Sequence, residues 1–157
     1  HPMKWSDLTM TPEGDAVTAL RASWEWRLGE AWSPLLFSAF GDVFLKTPTG
    51  VHWLNTGTGD LKKVADDEDT FRTALAGDQA NDWFLPPLIE ALHQAGKRPS
   101  EGECFTYAIY PAFAEGKYEA NNFAVVPARE HFAVSGDLHR QLSGIADDAK
   151  VSLRVEP

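Results

Sequence analysis

Between residues 35 and 64 the chain alternates short apolar runs with turn-forming clusters about every eight residues. This punctuation leaves little choice but antiparallel strands joined by tight turns. Leu35 to Phe40 and Val43 to Lys46 flank Gly41-Asp42 and read as a β-hairpin. Thr47-Pro48-Thr49-Gly50 turns the chain into a third strand, Val51 to Asn55. Alternation puts Val51, Trp53 and Asn55 on one face of that strand and His52 and Leu54 on the other. Thr56-Gly57-Thr58-Gly59 closes it, and Asp60 to Val64 supplies a fourth strand.

Helical periodicity flanks this block. Thr11 to Asp15 is turn-like, with Asp15 or an earlier polar residue as the cap, and Val17, Leu20, Trp24 and Leu28 then recur at spacings of three and four before Gly29. Asp66-Asp67-Glu68-Asp69 opens a helix containing Phe71 and Leu75, where carboxylates suit the positive end of the dipole. Trp83, Leu85, Leu88, Ile89 and Leu92 predict a further helix to Gly96, with Pro86 and Pro87 near its start. Cys104 to Ile109 and Phe123 to Val126 read as strands around a loop from Pro111 to Tyr118. Arg129 to Leu142 reads as a helix and Val151 to Val155 as a last strand. Strands followed by helices, without repeat or linker, predict an α+β fold: an antiparallel β-meander packed with helices in a single domain. Residues 1–15 are expected to be an N-terminal extension, with His1 and Pro2 ahead of Met3 a cloning remnant, and residues 16–157 the domain.

The 157 residues carry 14 Lys plus Arg against 23 Asp plus Glu, a formal charge of −9. A phosphate-binding surface needs the opposite sign, so direct nucleic-acid binding is not expected; a negative surface instead steers encounter with a basic partner. One cysteine, Cys104, permits neither an internal disulfide nor a multi-cysteine metal site and suits a reducing, cytoplasmic setting. No signal peptide and no membrane-length apolar run is expected.

Reaction machinery is not legible. Ser135-Gly136 lacks the glycine two residues before the serine that a nucleophile elbow requires, Ala133 standing there, and Cys104 lies in an apolar strand. The histidines show no metal-binding spacing, and the glycines form neither a dinucleotide nor a phosphate loop. No cofactor or metal is expected, and the chain reads as a binding module and not an enzyme. The competing reading is a small-molecule enzyme or ligand-binding domain using His131 and His139, eight residues and about two helical turns apart.

The order of several segments is more specific. Trp24-Glu25-Trp26, Pro34-Leu35-Leu36, Ala39-Phe40-Gly41-Asp42-Val43-Phe44-Leu45, His52-Trp53-Leu54-Asn55-Thr56 with Gly59, Trp83-Phe84, Gly102 with Cys104, Asn122, and Ser135-Gly136-Asp137-Leu138-His139-Arg140-Gln141 follow one another along the chain. Together they resemble the type VI secretion immunity proteins related to Tdi, over roughly Ala16 to Leu153. Two positions depart from that pattern: Asn55 where an aspartate is expected, and Ala114-Glu115-Gly116 where a more glycine-rich turn is usual. The resemblance implies an α+β domain that binds a co-encoded toxin, a DNase in the best-known cases, inside the producing cell and blocks it.

A nuclease active site is lined with cations to hold phosphate, so an acidic inhibitor can occlude it or an adjacent surface. The residues expected to meet such a partner are Asp66, Asp67, Glu68 and Asp69, with Asp60 near them in sequence, because clustered charge produces a local field that scattered charge does not.

Overall fold

A computed structural model describes residues 3–149. Five antiparallel strands run in chain order across one sheet: β1 (Thr9–Met10), β2 (Ser33–Ser38), β3 (Val43–Thr47), β4 (Gly50–Leu54) and β5 (Leu61–Ala65). The meander is the one the turn clusters dictate, widened by β1, which pairs Thr9 with Ser38 and Met10 with Phe37. Gly50, at φ 142°, makes the β3–β4 hairpin turn, pairing with Thr47. A second sheet pairs β6 (Glu103–Tyr107) with β7 (Phe123–Pro127). It is tied to the first where the Phe105 amide donates to the Ala39 carbonyl at 2.8 Å.

Helices cover both faces of the large sheet, which is why Val43, Phe44 and Leu45 are all buried in succession. On one face Leu20 and Trp24 of α2 (Gly14–Ser23) and its C-terminal end pack with Phe132 of α7 (Ala128–Ala149) against Phe37, Val43, Leu45 and Leu54. On the other face Phe71 of α4 (Glu68–Leu75) and Trp83 and Phe84 of α5 (Gln79–Phe84) surround Phe44 and Val51. The opposed positions of Val51 and Leu54 in these two cores follow the alternation read along β4. α6 (Pro86–Gln94) places Ile89 and Leu92 over Phe105 and Phe123 of the small sheet. The short α1 (Trp5–Leu8) and α3 (Glu25–Leu28) complete the α-helices among the described residues.

Two expected helices are each divided. The first breaks at Trp24, which leaves helical geometry with φ −112° and ψ 10°; its indole is fixed by the Ser135 hydroxyl at 3.2 Å, and α3 then ends on Gly29 at φ 69°. The cap of α2 is Glu13, with Asp15 in the first turn. The second breaks at Leu85, held left-handed at φ 48°. Pro86 lacks an amide proton and disfavours helical geometry in the residue before it, so it can only begin a new helix. The strand expected from Cys104 to Ile109 ends at Tyr107, and the helix expected from Arg129 spans Ala128–Ala149. The strand expected over Val151 to Val155 lies outside the described residues.

Candidate partner-binding surface

The acidic run forms the junction between β5 and α4. Asp67 is the N-cap of α4: its carboxylate accepts the Thr70 amide at 2.8 Å, and that bond draws the group below the usual carboxylate range. Glu68 bonds Arg72 one turn on and lies 3.7 Å from Lys46. The Arg72 bond, ahead of the burial that opposes it, lowers its pKa as well. Asp66 pairs with Lys63 at 2.8 Å. These pairs are solvent-exposed, where screening by water leaves little net stabilisation, and the run remains a surface of four adjacent carboxylates. Asp60 stands at the opposite end of β5, about 20 Å away at strand rise, so the structure gathers four of the five expected residues and separates the fifth.

At Asp60's end of the sheet lies a cleft of about 180 Å³ whose lining includes Asp42, Trp53, Asp82, Trp83, Tyr107 and Tyr118. Asp42 lies in it almost fully buried. One carboxylate oxygen accepts the Thr56 amide at 2.9 Å and its hydroxyl at 3.0 Å, while the other takes only the Trp53 indole N–H at 3.3 Å. Burial outweighs these bonds and pushes the Asp42 pKa up to about 7. Tyr118 is half exposed, and burial, then the charges of Asp42 and Asp60, raise its phenol.

Beneath the cleft a hydrogen-bonded chain joins five parts of the fold. His131 of α7 has Nε2 at 2.8 Å from the Thr56 hydroxyl and Nδ1 at 2.8 Å from the Thr106 hydroxyl, which meets the Tyr110 hydroxyl at 3.2 Å. With His131 neutral and protonated on Nε2, every donor points one way: Tyr110 to Thr106, Thr106 to His131, His131 to Thr56, Thr56 to Asp42. Burial lowers the His131 pKa to about 4, in keeping with the neutral ring. Gly41, at φ 76°, is required here, because a β-carbon would overlap the His131 imidazole. Asn55 accepts the Gly57 amide at 2.9 Å and the Thr58 amide at 3.2 Å, a turn that an aspartate would support equally, so the departure at Asn55 leaves the loop's geometry unchanged.

His139, two turns further along α7, is also buried, and its Nε2 donates to the Thr56 carbonyl at 2.8 Å. It lines a shallow groove of about 580 Å³ with Trp26, Phe113 and Leu142. Ile109, Phe113 and Tyr118 are exposed apolar residues of the loop after β6. The two histidines thus share Thr56: both ring nitrogens of His131 and Nε2 of His139 are taken up in structural bonds. Ser135 is buried within α7, and burial pushes the Cys104 thiol up, against nucleophilic character. Among the described residues no group of three His, Cys, Asp or Glu side chains is placed to hold a metal, and no helix is long and apolar enough to cross a membrane.

Sequence reading passed over Asp42 and the aromatic walls of its cleft. An Asp after Gly between two apolar runs looks the same whether it faces solvent or, as here, turns inward.

Residues 66–139 match the family described as T6SS immunity protein Tdi1, C-terminal. This segment is thus similar to the C-terminal part of that immunity-protein family. The matched segment opens on Asp66 and carries the whole acidic run, Trp83, Tyr107, Tyr118, His131 and His139; Asp42, Trp53 and Asp60 precede it. No curated protein and no solved structure matches the chain.

Proposed function

We propose that the chain is an immunity protein that binds a cognate type VI secretion toxin in the cytoplasm of the producing cell. It neutralises a nuclease by covering its cationic active site or a surface beside it. The family match over residues 66–139 is the observation that carries this reading. The net charge of −9 and the carboxylates on the β5–α4 junction supply the complementarity such a partner requires. Four adjacent carboxylates attract a basic active site from a distance, and exposed apolar side chains such as Phe113 supply short-range contact once the two surfaces meet.

Replacing Asp66, Asp67 and Asp69 by Asn and Glu68 by Gln tests the docking surface. Asn caps a helix as well as Asp does, so α4 is kept while the field is removed. Stopped-flow association with the polypeptide encoded beside this chain is expected to slow about tenfold or more at low salt, and its salt dependence to flatten. An unchanged association rate would exclude this surface as the steering element.

A further inference from the structure

Asp42 is a buried carboxylate without a cation. Among the described residues it makes no ion pair, and the side chains around its cleft are acidic, aromatic or neutral. Its second oxygen, held only by the Trp53 indole at 3.3 Å, keeps unused acceptor capacity. Trp53 and Trp83 form adjoining walls, with ring centroids 6.4 Å apart and planes at 54°, and Tyr118 stands half exposed. Asp82 is exposed at the cleft, and the charge of Asp60 reaches Tyr118 from the neighbouring turn. A negative floor, π-faces for walls and a second carboxylate in the lining are a recognition set for an organic cation. A guanidinium fits it better than an ammonium: it is planar, it stacks on aromatic rings, it is weakly hydrated, and its N–H fork meets a carboxylate edge-on. A cleft of about 180 Å³ takes the end of one side chain and no larger element.

We propose that the cleft over Asp42, between Trp53, Trp83 and Tyr118, receives the guanidinium of an arginine side chain presented by the toxin. The proposal rests on the toxin-binding reading and adds an anchor at the end of β5 opposite the acidic run. Arginine is a frequent anchor at protein interfaces, and here it would bring the charge that the buried carboxylate lacks. Steering by the run and anchoring by the cleft are thus assigned to separate places, the first governing association and the second dissociation.

The test titrates the full chain with N-acetyl-arginine amide, following the tryptophan indole N–H resonances by NMR. Two probes serve as controls: the neutral isostere N-acetyl-citrulline amide, and Asp82→Asn with Tyr118→Ala, two exposed changes that leave the core intact. The Trp53 indole resonance is expected to shift saturably with the arginine probe, in the millimolar range of a single side chain. The citrulline probe is expected to have little effect, and the double variant to weaken arginine binding at least fivefold. An equal response to citrulline, no response to arginine, or an unaltered response in the double variant overturns the proposal. With the co-encoded polypeptide as partner, the double variant is expected to dissociate about thirtyfold faster. Unchanged dissociation, with neutralisation intact, overturns the anchor while leaving the immunity reading standing. Failure of the unaltered chain to bind that polypeptide overturns the immunity reading, and the arginine titration still decides the ligand chemistry of the cleft.

Discussion

Asp42 ends the hydrogen-bond chain and His131 lies two bonds back along it, through Thr56, and burial moves their pKa values in opposite directions. A raised carboxylate favours the folded state while it is protonated. Stability from Asp42 is therefore fully present below its unfolded value near 4 and is lost as pH rises through about 7. His131 does the reverse: its neutral form is the folded one, and stability is lost as pH falls from its unfolded value near 6.5 through about 4. Between about pH 4 and 6.5 the two contributions offset each other. Asp42→Asn removes one side of that balance. Urea unfolding is expected to show the unaltered chain losing stability relative to this variant by up to about 4 kcal/mol as pH rises from 4 to 7. A pH-independent difference would mean that Asp42 titrates normally. Gly41→Ala tests the same chain from the backbone side. Both its φ of 76° and the His131 ring oppose a β-carbon, so a loss of roughly 3 kcal/mol is expected.

Among the described elements, α2 and α7 pack against each other most extensively. Gly136 sets their approach, because any β-carbon there would overlap the Ser23 carbonyl, and Trp24 and Trp26 both reach α7, donating to the Ser135 hydroxyl and the Gly136 carbonyl at 3.2 Å each. Gly136→Val is expected to push the helices apart and lower stability by about 3 kcal/mol, read as a fall of several degrees in melting temperature. A melting temperature unchanged within error would mean that the helices can separate freely. Most of this level was legible in the sequence. The turn clusters specified the meander, because Gly and Pro mark chain reversals locally, and the 3.6-residue periodicity located α4, α6 and α7. The break at Trp24 was not legible, since periodicity runs through it and the residue that fixes its indole lies 111 positions away. The Pro86 signal was present and indicated the break at Leu85, yet the apolar spacing around it reads as one continuous helix.

At the scale of the whole molecule, the meander spaces two acidic features along β5: the carboxylate run beyond Ala65, and Asp60 near the cleft of Asp42. The run was visible as four consecutive letters. The cleft was not, because it assembles side chains from β4, α5, β6, the turn before β3 and the loop after β6, and no pattern within any one of them marks the convergence. The measurement that bears most directly on neutralisation is a nuclease assay. The polypeptide encoded beside this chain would be purified, and its DNA cleavage followed as this chain is added. Cleavage is expected to fall linearly with added chain and stop at equimolar ratio, with a stable complex on size exclusion, since inhibitors of this kind bind at about nanomolar affinity or tighter. Undiminished cleavage at several-fold molar excess, with the two polypeptides eluting separately, would contradict the immunity reading.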